Sequence, residues 1–142
     1  MIEYRDSATD IDADQLNGFF VGWPNPPSLA VHLQLLQKSS EIVLAIDTDS
    51  GNVVGFITAI TDQTLAAYIP LLEVLPAYQK QQIGKTLVEK MLTKLRRFYM
   101  IDLLCDAELQ PYYEQFGMRR ASGMLVRNYD RQSGIDSGTT DE

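Results

Sequence analysis

The residues best equipped for chemistry sit in one short stretch: Gln79, Lys80, Gln81 and Gln82, then Ile83, Gly84, Lys85 and Thr86. They join a strand-like run ending at Val74 and Leu75 to a helix-like run starting at Ile83. A plain connector would offer Gly, Asn or Asp here. Amides and ammonium groups suit another task. The first four N–H groups of a helix lack intrahelical partners and point into the space before it. With the positive end of the helix dipole they form an anion site suited to phosphate. Gly84 lets a ligand close on the backbone, and Lys80 and Lys85 add charge. The loop reads as a pyrophosphate cradle. It is not a P-loop, because Ala77 stands where the first glycine belongs, nor the dinucleotide fingerprint, because Gln79 and Gln82 replace required glycines.

Other reactive residues are scarce, which narrows the chemistry. His32 is the only histidine and Cys105 the only cysteine. Ser-His-Asp catalysis could run only through His32, and multi-His metal centres, Cys-based zinc sites and an internal disulfide are excluded. His32 is expected to be an exposed helix residue, and Cys105 a buried thiol in an apolar strand. Trp23, set among prolines in "GWPNPP", reads either as a rigid lid over an acceptor pocket or as a packed loop residue.

The net charge of −7 argues against nucleic acid as a partner. That charge is uneven. Between 79 and 97 six basic residues meet one acid, Glu89, whereas the rest of the chain holds 6 basic and 18 acidic residues. A basic island in an acidic chain suits a small polyanion at one place and cationic substrates elsewhere. No apolar run approaches the roughly 18 residues of a membrane span. The amino-terminal segment lacks a basic region followed by an apolar one, so the expected location is cytoplasmic.

The elements that must position these residues follow from periodicity. Ile2–Arg5 alternates as a strand. "DADQLNGFF" opens a short helix with Asp12 as N-cap and Gln15 as capping-box partner. A second helix starts just after Pro27. "EIVLAID" and "VVGFITAIT" form a hairpin across "DTDSGN". "TLAAYIPLLEVL" continues as a long strand in which Pro70 forces a bulge or an edge. From Ile83 apolar residues recur at helical steps to Tyr99, giving about five turns. "MIDLLCD" is a strand, "AELQPYYEQFG" a helix ended by Gly117, and "MRRASGMLVRNY" one or two closing strands. The expected order is β-α-α-β-β-β-α-β-α-β. One α/β (α+β) domain spans 1–130, with a disordered polar tail at 131–142.

"LLEVLPAYQKQQIGKTLVEKML" resembles motif A of the GNAT N-acetyltransferase superfamily, whose pattern is Gln/Arg-x-x-Gly-x-Gly/Ala after a strand. Gln79 fills the first position, Gln82 replaces the first glycine, and Gly84 fills the last. "LQPYYEQFGM" is similar to the family's "A-x-x-F-Y-E-K-x-G-F" segment, with Tyr113 on its tyrosine and Gly117 on its glycine. The resemblance implies a mixed, mostly antiparallel sheet flanked by helices. It implies acetyl-CoA as the acyl-donor cosubstrate, its pantetheine pairing with backbone near Val74 and its pyrophosphate on the amides from Lys80 to Lys85, without a metal.

Given that resemblance, acyl transfer to an amine needs a neutral nucleophile and a proton for the departing thiolate. A lysine-like amine titrates near ~10.4 and so needs a base at neutral pH. Glu73, acting through water, is the candidate, with an acceptor-binding carboxylate or a paired strand residue as its other readings. Tyr113 is the candidate proton donor to sulfur. The expected activity is acetylation of a primary amine on a small molecule or protein; the alternative is a non-catalytic acyl-CoA sensor or interaction module on the same fold. The expected assembly is a monomer or homodimer, without nucleic acid or membrane.

Overall fold

The computed structural model describes residues 1–135. Strands β1 (Ile2–Arg5), β2 (Glu41–Asp47) and β3 (Val53–Thr61) run antiparallel in sequence. The expected hairpin joins β2 to β3, its turn closed by Gly51 N–H donating to Asp47 O at 2.7 Å. Seven consecutive buried residues in β3, from Val53 to Ala59, make it the spine of the sheet. Such a run is what a strand covered on both faces requires.

The stretch expected as one long strand is two. β4 (Ala66–Tyr68) and β5 (Leu72–Val74) both pair with β3, but at opposite ends of it. Pro70 lies between them and has no N–H to give a ladder. β6 (Met100–Asp102) runs parallel to β4, so the sheet order is β1-β2-β3-β4-β6 with β5 beside β3 only. The sheet therefore forks. Ile69 N–H still reaches Asp102 O at 2.9 Å, while Leu71 O already accepts from Thr58 N–H at 3.0 Å on the other side. Beyond Ile69 the outer edge of β5 has no strand against it.

Two apolar layers cover the faces. Helix α2 (Ile83–Leu95) seats Ile83, Leu87, Val88, Met91 and Leu95 against one face of the sheet, the i, i+4, i+8 spacing of an amphipathic helix. At Gly55 a Cβ would meet Leu87 at 3.2 Å and Ile83 at 3.3 Å, so β3 has no side chain where α2 comes closest. On the other face, Leu16, Phe20 and α1 (Leu29–Lys38) cover Leu44, Val53 and Phe56. Ser28 caps α1, accepting from Val31 N–H at 3.1 Å. The capping box of Asp12 and Gln15 forms, although it opens only a single 3-10 turn, Ala13–Gln15.

Four expectations need correction. α2 ends at Leu95, so Tyr99 lies outside it and is exposed. His32 is not on the surface: it is 1% exposed, because α1 turns His32 and Leu36, one turn apart, towards Phe56. Cys105 lies past the end of β6 and is half-buried. The closing strands are not formed among the described residues. After α3 (Gln110–Glu114) and Gly117 (φ +87°), residues 118–127 run without helix or strand structure. Of the expected tail, residues 136–142 lie outside the described residues; before them, Gln132 accepts from Asn25 N–H at 2.9 Å.

Candidate active site

The fork and the start of α2 share one opening. Leu71 O and Leu75 N–H point to β3, so alternation turns the backbone groups of Leu72 and Val74 outward into the gap. One of those groups is already read: the Gln79 side-chain amide donates to Val74 O at 3.0 Å. Leu75 N–H is engaged by Val54 O and Leu75 O by Tyr78 N–H, both at 2.9 Å, so Leu75 offers the gap only its side chain.

The loop then curls back on itself. Pro76–Tyr78 form a 3-10 turn, and Lys80 (φ +68°) and Gln82 (φ +66°) both adopt the left-handed conformation. Two such residues one apart bend the chain so that successive N–H groups line a concavity, a shape that binds anions. Gln82 is the N-cap of α2 and gives no side-chain cap. The first helical bond is Thr86 N–H to Gln82 O at 3.1 Å, and Thr86 Oγ1 donates to the same oxygen at 3.0 Å. The N–H groups of Ile83, Gly84 and Lys85 thus precede the ladder. Ile83 contributes backbone alone, since its side chain is buried; Gln81 and Gln82 are exposed on the loop.

Gly84 has a specific neighbour. A Cβ there would stand 3.1 Å from the Tyr112 hydroxyl and 3.8 Å from Val74 Cγ2. The opening is therefore bounded by Val74, the amide end of α2, and the first tyrosine of α3. Tyr112 is a residue that sequence reasoning passed over in favour of Tyr113. The signal was the pair itself: adjacent tyrosines in a helix point about 100° apart, so both cannot serve one task. Tyr113 packs more deeply against the α2-side core, its ring 5.1 Å from that of Tyr112. Burial, with lesser contributions from Tyr112 and Cys105, pushes its hydroxyl up to about 12. It keeps its proton throughout the neutral range.

Glu73 points to the opposite face of the sheet from Tyr112 and Tyr113, as strand alternation requires. Its Oε1 accepts from Phe20 N–H at 2.8 Å and its Oε2 from Val21 N–H at 3.2 Å. The carboxylate clasps the loop that carries Trp23, whose ring lies 4.8 Å from that of Phe20. The two flanks of the fork thus hold different equipment: phenols on the α2 side, a carboxylate and an aromatic loop on the other.

The cations on and flanking α2 divide along its length. Lys94 lies 3.0 Å from Asp6 and 3.4 Å from Glu41, Arg97 lies 3.7 Å from Glu41, and Lys90 sits 5.5 Å above the Tyr4 ring. Among the described residues no ion pair engages Lys80 or Lys85. A surface recess of about 830 Å³ between β1 and the carboxyl half of α2 borders those paired charges rather than the fork. The fork is the better candidate, since outward strand backbone, uncapped helix amides and the unpaired Lys80 and Lys85 converge there among the described residues. Among the described residues no group of three or more His, Cys, Asp or Glu side chains could hold a metal.

The sequence model described as the Acetyltransferase (GNAT) family matches residues 8–118. Among curated proteins, the chain is 31% identical over 134 residues to GCN5-related N-acetyltransferase 2, chloroplastic, of Arabidopsis thaliana, covering 78% of this chain and 51% of that one. The chain spans about half the length of the curated relatives it matches. Among solved structures, a Deinococcus radiodurans R1 protein designated an acetyltransferase shares 42% identity and superposes with a TM-score of 0.91, over 94% of this chain and 93% of that one. A GNAT-family acetyltransferase from Streptococcus pneumoniae shares 28% identity with a TM-score of 0.72, over 90% and 98%.

Proposed function

The chain belongs to the GNAT acetyltransferase family, and on that premise we propose that it transfers an acetyl group from acetyl-CoA to a primary amine. The observation that carries this reading is the fork, which opens directly onto the uncapped amide end of α2. A pantetheine-like chain needs an unpaired strand edge, and the outward backbone of Leu72 and Val74 supplies one. A pyrophosphate needs clustered N–H donors and cations; the curl from Gln79 to Lys85 supplies both. The missing Cβ at Gly84 makes room for the Tyr112 hydroxyl, which therefore stands beside the amide end of α2. Acetyl-CoA bound there would supply the activated acyl carbon and a thiolate leaving group.

The chain's own groups then have separable tasks. Forming the N–C bond and breaking the C–S bond requires that the amine lose a proton and the sulfur gain a donor. Glu73 takes the amine's proton through water: each of its oxygens keeps a lone pair beyond its bond to Phe20 or Val21. The same carboxylate fixes the Trp23 loop, so it also sets where the acceptor can lie. Tyr113, protonated through the neutral range, presents its O–H to the sulfur. The acidity of the chain outside α2 favours a cationic acceptor.

Thiol release in the presence of acetyl-CoA and a panel of amines tests this reading, with calorimetry of CoA binding alongside. Turnover of at least one amine is expected; CoA binding without turnover of any would favour the sensor reading instead. Glu73→Gln separates the roles of that residue. A base gives a loss concentrated at the acid side of the rate profile, recovered as the pH rises and the amine deprotonates unaided. A loop anchor alone gives a uniform rise in KM for the amine.

A further inference from the structure

The loop that Glu73 clasps is strained at one residue. Phe20 has φ +62°, a left-handed conformation that a bulky side chain rarely takes, and it is buried at 5% exposure. Such a residue persists only where its surroundings over-determine it. Here its N–H donates to Glu73 Oε1 at 2.8 Å, its carbonyl accepts from Trp23 N–H at 3.1 Å, and its ring is boxed. Trp23, His32 and Phe56 stand around that ring, with centroids 4.8, 4.9 and 6.1 Å away. His32 is the odd member of the box. It lies 4.5 Å from Phe56 and 5.4 Å from Phe19, and neither of its nitrogens has a partner among the described residues. A neutral imidazole serves there as an aromatic filler. An imidazolium would bring a charge and two N–H donors to a place where neither nitrogen has an acceptor.

We propose that neutral His32 is a positioning residue for the acceptor side of the site: through the Phe20 ring it sets the amides that hold Glu73, and a proton on its imidazole releases them. This rests on the role given to Glu73 above and deepens it. The yielding part is the loop. Phe56 is held in β3 between Leu44 of β2 and Glu73 of β5, and His32 is held in α1 by its N–H bond to Ser28 O at 2.9 Å. Phe20 alone gains by moving, because its φ relaxes once its ring leaves the box. The bond from its N–H to Glu73 breaks with that rotation, and the Trp23 ring loses its neighbour. Few charges face the box. The stretch from Leu16 to Trp23 and strand β3 carry none, and α1 carries only Lys38, at its far end. β5 brings Glu73, while Glu41 and Asp47 at the ends of β2 are engaged by Lys94 and Tyr78. The segment whose Gly134 lies against Val31 brings Asp130 and Arg131, both engaged elsewhere. Burial is what lowers the imidazole, to about 4 against an ordinary 6.5.

The chain's only histidine and only tryptophan make the test direct. The His32 Cε1–H resonance reports protonation, Trp23 emission reports the loop and far-UV ellipticity reports the fold, all without turnover of any amine. As the pH falls from about 6.5 towards 4, Trp23 emission should move to the red in step with the His32 resonance while the ellipticity holds. His32→Phe fills the box but cannot ionise, and should keep the native emission through that interval. An emission that changes only as ellipticity is lost would overturn the proposal. So would a shift that His32→Phe retains at the same pH, which would assign it to Glu73 instead. For an amine that is turned over, the wild-type KM divided by that of His32→Phe should rise several-fold across the interval, amine protonation cancelling in the ratio. A constant ratio beside a released loop would overturn the positioning role. CoA binding without turnover of any amine would count against acetyl transfer, and the fluorescence would still decide the release of the loop.

Discussion

The two ends of α2 handle charge and conformation in opposite ways. At the carboxyl end Lys94 and Arg97 are met by Asp6 and Glu41, and the helix closes onto a buried Leu95. At the amide end there is no side-chain cap, two non-glycine residues sit in the left-handed region, and Lys80 and Lys85 have no anionic partner among the described residues. A good N-cap is worth about 1 kcal/mol, and a left-handed non-glycine residue costs roughly 1–2 kcal/mol. A helix start shaped for stability alone would avoid both losses. The contrast teaches that one end of the helix is anchored by charge pairs while the other leaves its amides uncapped, as the proposed cofactor site requires.

If that division is right, substitutions at the amide end change binding and turnover, and those at the carboxyl end change stability. The largest effect is expected from Tyr113→Phe, which should lower turnover by the order of 10²–10⁴ typical of losing a proton-transfer group, with CoA affinity unchanged by calorimetry. Full activity in Tyr113→Phe together with a dead Tyr112→Phe would move the donor to the neighbouring ring. Gly84→Val should come next. It places a branched side chain against the Tyr112 hydroxyl and over the helix amides, and should weaken CoA binding by about 100-fold or more, the scale of losing several charge-assisted hydrogen bonds. Undiminished affinity in a folded Gly84→Val protein would remove the anion site from this loop.

Stability offers its own test away from either end. Burial pushes the His32 imidazole down to about 4, and neither of its nitrogens has a hydrogen-bond partner among the described residues. The unfolded chain, with an ordinary value near 6.5, then binds the proton more readily than the folded one. Stability is full above about 6.5 and falls as the pH drops towards 4. Thermal melts across that range should show the slope, and His32→Phe, which suits the ring cluster of Phe19, Phe20 and Phe56, should flatten it. The smallest effects compare lysines directly. Lys80→Ala should weaken CoA binding a few-fold, more at low salt, and leave the melting temperature alone. Lys94→Ala should spare CoA affinity and lower stability by no more than about 1 kcal/mol. That loss should shrink in acid: Lys94 holds the Asp6 carboxyl below its usual value, so the pair contributes above the unfolded carboxylate range and fades as the pH falls through the depressed one.

Much of this was legible in residue order. The hairpin, the capping box, the break at Pro70 and the seat of α2 all follow from local rules, because each is decided within a few residues. The errors came where tertiary partners decide. His32 looked polar and therefore exposed, but the rotation of α1 is set by Phe56 on a distant strand. The helix pattern ran on to Tyr99, yet the chain must leave the helix after Leu95 to bring Met100 alongside β4. The 118–127 segment has strand-like composition but pairs with no strand among the described residues. For the site, the loop and the tyrosine pair were readable, whereas the clasp of Glu73 on Phe20 and Val21 was not. It is made to main-chain N–H groups, which every sequence offers alike.

That anonymity bears on how such a protein can change. Glu73 recognises positions 20 and 21 by their amides, so an exposed side chain such as Val21 carries no share of that clasp. Mutation can therefore redraw the exposed face of this loop while its seat on β5 stays fixed, and the open edge of the same strand need not register the change. Under the proposed function, a lineage built this way exchanges one acceptor for another by drift in a few exposed positions, its donor site untouched at every intermediate step.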